Sequence, residues 1–173
     1  IKDNPRPKFI ESHRLCSFNQ RGLDVDVILD LMIHDIDLSL VLIKSKIKKI
    51  SAYGASILTD SIDMANARLE FSGGETVNLT ASRISLKQMR QMRVFQKNSY
   101  SIIDFQEPSL NTWFVNKRGA LNAKKIPIIA NNALFEELKV FVACIQDDLP
   151  ETMGAEEALR ALTIASRIQK KIG

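Results

Sequence analysis

Thiols are scarce in this 173-residue chain. Cys16 and Cys144 are the only two, and neither stands in a C-x-x-C or zinc-ligand spacing. That argues against a disulfide framework and a structural zinc site, and two lone thiols suit a reducing cytoplasm. No apolar run reaches the roughly 18 uncharged residues of a membrane span, and no secretory leader is visible at the start. No G-x-G-x-x-G follows a strand pattern, so these residues carry no dinucleotide cradle. G-x-x-x-x-G-K-[ST] and G-x-S-x-G are missing too, which excludes a P-loop and a hydrolase nucleophile elbow. Neither internal repeats nor low-complexity runs occur. A net charge of +4 is compatible with an anionic ligand but too small to imply nucleic acid. The basic run Arg90 to Arg93 has no stacking aromatics interleaved with it, so a solvated or ligand-facing strand explains it better.

What is present is an ordinary globular balance, 45% apolar and 25% charged, in a chain long enough for one buried core. The stretch 24–43, DVDVILDLMIHDIDLSLVLI, predicts one long helix with Asp24 as N-cap and Asp26 complementing the dipole. On a helical wheel Asp26, Asp30, His34 and Asp37 fall within about 80° of one another. Asp24 and Asp35 lie on the far side. The rest is almost wholly Val, Ile, Leu and Met, so the stripe is expected to be buried, where ionisable groups must be paired, solvated in a cleft, or used.

Around that helix the pattern gives a strand over 9–18, with Glu11 and His13 on one face and Arg14 on the other, and a second strand near 47–53. Strand, helix, strand predicts parallel neighbours or near neighbours. Residues 61–72 and 75–85 alternate cleanly on either side of Gly73-Gly74, the clearest hairpin in the chain. Further strands are expected near 92–96, 100–106 and 112–116. Residues 117–129 read as mostly loop, with a short apolar IPII as a possible last strand. Asn131 or Asn132 starts a helix to about Gln146, and a final helix spans 155–172. Residues 1–8, with Pro5 and Pro7, read as a linker. The sum is an α+β domain over 9–173: an open, mainly antiparallel mixed sheet with helices on one face. The other face is free to meet water, another domain or a second copy.

Asp30 and His34 stand i, i+4, so their side chains can meet on a helix. A carboxylate beside an imidazole orients the ring and makes it a better base, as general acid–base work needs. The competing reading is an Asp–His bridge that closes the helix against a strand. A metal site from Asp30, His34 and Asp37 with His13 is a weaker candidate, because the spacing matches no known motif. Glu11 and Arg14 on the first strand are candidates for lining the same cleft.

Residues 29–38 (LDLMIHDIDL), 63–71 (DMANARLEF) and 78–96 (NLTASRISLKQMRQMRVFQ) carry a resemblance. Together with 9–22 and the tail from Glu137, they resemble the carboxy-terminal domain of the glucose–fructose oxidoreductase/inositol dehydrogenase-like (Gfo/Idh/MocA) family. The resemblance implies the dihydrodipicolinate reductase-like carboxy-terminal fold, with the open sheet as a subunit interface. It also implies a separate amino-terminal domain holding NAD or NADP, with no cofactor expected on this chain alone. In such proteins D-x-x-x-H on the long helix sits at the substrate pocket. By resemblance His34 is the acid/base on the reacting hydroxyl and Asp30 orients it or helps bind substrate, while Glu11 and Arg14 are weaker candidates for substrate contact. The family's E-K-P lysine is absent here. The expectation is the substrate-binding and oligomerisation part of a cytoplasmic dehydrogenase for sugar-like or cyclitol-like hydroxyls, inactive alone. The alternative is a non-catalytic α+β binding or assembly domain that keeps the fold.

Overall fold

The computed structural model describes residues 6–19, 23–128, 132–146 and 154–173. They form an eight-stranded sheet and three α-helices, in the order β1 (Phe9–Leu15), α1 (Ile33–Leu42, preceded by a wide turn Ile28–Met32), β2 (Ile47–Ala55), β3 (Met64–Phe71), β4 (Thr76–Ser82), β5 (Met89–Gln96), β6 (Ser99–Asp104), β7 (Ser109–Val115), β8 (Leu121–Pro127), α2 (Ala133–Gln146) and α3 (Ala155–Ile172). The fold is α+β with an open, mixed, mostly antiparallel sheet. The linker expected over 1–8 lies largely outside the described residues, and Lys8 already bonds to Phe95 O.

Strand order is β2-β3-β4-β1-β5-β6-β7-β8. Among the described residues the only parallel pair is β1 with β4, Ile10 opposite Val77. β2 therefore runs parallel to β1, as strand–helix–strand spacing predicts, but lies at the sheet edge with two strands, β3 and β4, between them rather than as a neighbour or near neighbour. The β3–β4 hairpin fills the gap because its alternation provides a strand apolar enough for the centre: Val77, Leu79 and Ala81 are fully buried. That hairpin closes at Gly73-Gly74, where Gly74 adopts φ +88°, a left-handed conformation that side chains disfavour.

The two faces differ in kind. Ile10, Ser12 and Arg14 of β1 point to the side covered by α1 and α3, together with Ala65, Ala67 and Leu69, Val77 and Leu79, and Met92 and Val94. α3 buries Ala161, Ile164, Ala165 and Ile168 against α1 and β2. The approach is close at Gly54, where an added Cβ would fall 2.9 Å from both Ile172 and Ile62. The opposite face carries Asn66, Arg68, Asn78 and Thr80, joined by side-chain bonds. A row of rings crosses its other half: Phe9, Phe95, Tyr100 and Trp113, with neighbouring centroids 4.7 to 5.5 Å apart.

Three local expectations need correction. β1 ends at Leu15, not at residue 18. β8 is a full strand over Leu121–Pro127 where loop was expected. As an edge strand with both faces largely exposed, it lacks the alternation that burial imposes. The helix begins at Ile28 and its N-terminal cap is Asp26, not Asp24: Asp26 Oδ1 accepts the N–H of Ile28 (2.9 Å) and of Leu29 (3.1 Å). For α2 the capping residue is Asn132, whose Oδ1 accepts the Phe135 N–H at 3.2 Å.

The loop that supports the helix start is held by one carboxylate. Buried Asp63 accepts three backbone N–H groups, from Ile57, Leu58 and Thr59 at 2.7 to 2.9 Å, and the Thr59 hydroxyl at 2.7 Å. Ile62 O then accepts the Val27 N–H. Burial alone would raise the Asp63 carboxyl, but the Thr59 hydroxyl and the three N–H groups outweigh it and bring it to about 2 from the ordinary 3.8. A depressed carboxyl stabilises the fold above its unfolded value and loses that contribution as pH falls through the folded one. Asp63→Asn is expected to cost on the order of 1–2 kcal/mol at neutral pH. In urea titrations across pH, the gap to wild type should stay full above the ordinary 3.8 and close as pH drops toward 2.

Candidate functional site

A single buried ion pair sets the azimuth of α1. Arg14 on β1 donates from Nε to Asp35 Oδ2 (2.9 Å) and from Nη2 to Asp35 Oδ1 (3.0 Å). The side chains are 12% and 4% exposed. This bidentate fork fixes the helix both along and around its axis. Ile28, Met32, Ile36 and Leu40 then face the sheet, and Ser39 is buried with them, its hydroxyl donating to Asp35 O at 2.7 Å.

The consequence for the acidic stripe reverses the sequence expectation. Asp30 and His34 are exposed and Asp26 and Asp37 half-buried, while Asp35, assigned to the far side, is the buried carboxylate. The apolar row Ile28, Met32, Ile36 and Leu40 takes the sheet side together with Asp35, held by Arg14, and this leaves the stripe opposite them outward. Ile33 N–H bonds to Ile28 O, a five-residue spacing that widens the turn before α1. Asp30 lies inside that wide turn and His34 one turn on. Among the described residues neither makes a side-chain hydrogen bond or ion pair, so both polar ends are open to a ligand.

The remaining candidates divide between the two faces. Arg14 is on the helix side but committed to Asp35. Glu11 lies on the open face, paired with Arg93 (3.2 Å) and near His13 (3.4 Å). The structure brings Asp30 and His34 to one flank and does not bring Glu11 or His13 there. His13 thus cannot join His34 in a metal site, and no group of three His, Cys, Asp or Glu side chains that could hold a metal exists among the described residues. The sequence reading missed Asp35 and the corner where β1 ends. There Asp30 and Arg90 both act on Cys16: burial pushes the Cys16 thiol up, Asp30 adds to that, and Arg90 and Arg83 oppose it. Arg90 pairs in register with Arg14 and so points to the same side. Period-two alternation along β1 and β5 is the signal that could have found this corner.

This flank is an open wall. Two hollows on the helix side, one lined by Asp37, Leu40 and Val41 with Glu157 and Arg160, the other by Leu42, Ser45 and Glu75, hold about 30 and 50 Å³. A small-molecule site needs several hundred.

The sequence profile described as the GFO/IDH/MocA C-terminal domain matches residues 6–99. The chain belongs to this family. It is 34% identical to UDP-N-acetylglucosamine 3-dehydrogenase of Acidithiobacillus ferrooxidans, over 94% of this chain and 54% of that protein. A solved structure of that enzyme superposes with a TM-score of 0.91 at 31% identity, covering 99% of this chain and 55% of the other. At 15% identity the fold is shared with an aldose–aldose oxidoreductase of Caulobacter crescentus solved with glycerol (TM-score 0.81; 96% of this chain, 53% of that). At 11% identity it is shared with a levoglucosan dehydrogenase solved in complex with NADH (TM-score 0.82; 96% and 56%). The chain spans about half the length of these family relatives.

Removing one partner of the Arg14–Asp35 pair strands the other in the core. Asp35→Asn is expected to lower unfolding stability by roughly 3 kcal/mol, read by urea or thermal denaturation. A double change to apolar residues of similar volume should recover most of that loss.

Proposed function

We propose that this chain is the substrate-binding and oligomerisation half of an NAD(P)-dependent dehydrogenase acting on a hydroxyl of a sugar-like or cyclitol-like substrate. One observation carries the reading: Asp30-x-x-x-His34 presents an unpartnered carboxylate and imidazole outward from a helix that a buried ion pair locks in place. The 34% identity to a UDP-N-acetylglucosamine 3-dehydrogenase favours a ring hydroxyl of a nucleotide-linked amino sugar within that class.

The residues present do not fit a dinucleotide. The sequence contains no G-x-G-x-x-G, and the hollows beside α1 are far too small. Cofactor binding is assigned to an amino-terminal domain corresponding to the part of the relatives that this chain does not span. NAD(P) held there would supply hydride acceptance from the carbinol carbon. This chain provides the other half of the oxidation: a ring nitrogen of His34 accepts the hydroxyl proton. Asp30, one turn earlier, makes no bond to the ring in this structure and helps bind substrate on the same flank. Arg14 and Asp35 position this pair by holding α1 rather than by touching substrate. Glu11 of the same chain stays on the far side of the sheet. The proposed setting is the cytoplasm, consistent with two free thiols; among the described residues no helix is long and apolar enough to cross a membrane.

In the enzyme joined to its nucleotide-binding half, His34→Ala should lower kcat/KM by about 10²–10⁴ with cofactor affinity retained. Unchanged turnover would sink the assignment. On the open face, the ring row and the Asn66, Arg68, Asn78 and Thr80 network are proposed to meet a second copy. Light scattering should report at least twice the chain's mass, and Arg68→Glu should shift the population toward monomer.

A further inference from the structure

Three arginines gather where β1 ends, and two of them are committed. Arg14 forks onto Asp35, and buried Arg83 donates from Nη2 to Val25 O at 2.6 Å. The third, Arg90, stands directly opposite Arg14 in the β1–β5 register, so both side chains leave the sheet on its helix side. Arg90 is exposed, and among the described residues its guanidinium makes no hydrogen bond or ion pair. Like charges directly opposite one another on neighbouring strands destabilise a sheet. Asp35 offsets the charge of Arg14, whereas no carboxylate is bonded to Arg90. A cation held against its neighbour in this way points to use rather than to packing. Space for a ligand exists there. Among the described residues the helices pack mainly over β1, β2 and β4, which leaves the helix side open at the start of β5. Asp30 faces the same corner: Asp30 and Arg90 act with opposite sign on the Cys16 thiol, whose backbone N–H bonds to Ser82 O at the end of β4.

We propose that Arg90 is a specificity-determining residue, binding the diphosphate of a nucleotide-linked sugar whose reacting hydroxyl lies at His34. The inference rests on the functional reading above and adds the group that recognises the anionic half of the substrate. Asp30 and His34 are four residues apart, about 6 Å along the helix, a span that one sugar ring can bridge. From His34 through Asp30 to Arg90 the flank changes from imidazole to carboxylate to guanidinium. A neutral sugar uses only the first two, which accept hydrogen bonds from hydroxyl groups. The third accepts nothing and only donates. Its parallel N–H groups match two oxygens of one phosphate, and its charge persists at every working pH. Because Arg90 is bonded to no protein group, a phosphate can reach it without breaking a contact of the fold. Arg14 cannot take this role, since removing it from Asp35 would leave a buried carboxylate alone.

The test is calorimetric titration of uridine diphosphate into the holoenzyme, the chain joined to its nucleotide-binding half with NAD(P) saturating. Wild type should bind, and Arg90→Gln should weaken binding by about tenfold to a hundredfold. Arg90→Lys should recover part of that loss, because it restores the charge but not the fork. Lys49→Gln removes the same charge from exposed β2 at the sheet edge and should leave binding unchanged. In urea, Arg90→Gln should unfold no earlier than wild type, because it relieves the repulsion from Arg14. Four results would overturn the proposal: no binding by wild type, equal binding by Arg90→Gln, an equal loss in Lys49→Gln, or an Arg90→Gln protein that unfolds earlier. His34→Ala separates this inference from the reading beneath it. If His34→Ala keeps full turnover while Arg90→Gln weakens binding, the diphosphate site stands and the acid–base assignment falls. If His34→Ala abolishes turnover while Arg90→Gln binds like wild type, the acid–base assignment stands and the diphosphate site falls.

Discussion

The fork between Arg14 and Asp35 is the constraint on which the rest depends. A helix with apolar residues on most of its circumference could pack on a sheet in several rotations of similar burial. One charged pair removes that freedom. Turning α1 by a single residue, about 100°, would take Asp35 off Arg14 and leave a guanidinium in the core without a carboxylate. The pair contributes little net stability compared with apolar replacements, because both groups lose their water. Its effect is on uniqueness. With Asp35 pinned inward, Asp30 and His34 are left outward on the opposite side of the helix.

A second layer of support comes from polar groups at the sheet's upper end. Asp63 gathers three consecutive backbone donors, and the loop it shapes accepts the Val27 N–H. Arg83 donates to Val25 O at 2.6 Å, and Asp26 ties the helix start to Gln169 of α3 at 2.7 Å. The bonds to Val27, Val25 and Asp26 each span elements distant in sequence. Together they hold the wide turn at Ile28–Met32, a conformation that a free helix would not choose.

The legible parts of the fold are those where burial stamps a period on the sequence. The Gly73-Gly74 hairpin and α3 show this: Ala67, Leu69 and Phe71 alternate with charges, and Ala161, Ile164, Ala165 and Ile168 recur at helical spacing. β8 was illegible because an edge strand with both sides wet has nothing to alternate. The buried carboxylate was misplaced for a different reason. A helical wheel ranks residues by angle within one helix, whereas Asp35 is selected by Arg14, 21 positions earlier on another element. Glu11 and Arg14 were grouped although an odd spacing on one strand already sends them to opposite faces. The D-x-x-x-H pair was legible as a motif, but its exposure was not, because the widened turn depends on supports from three other elements.

β1 lies at the centre of the sheet, between β4 and β5, and it precedes the other strands of that sheet in sequence. Both of its neighbours are encoded much later, over residues 76–96. Until then Ile10 has neither of its paired strands. The strand pairings on which the helix layer sits are consequently late events of high sequence separation, which slows folding and lengthens exposure to chaperones and to aggregation. The β3–β4 hairpin, whose pairing is local, is the piece able to form first and offer β4 as a template onto which the waiting strand can add.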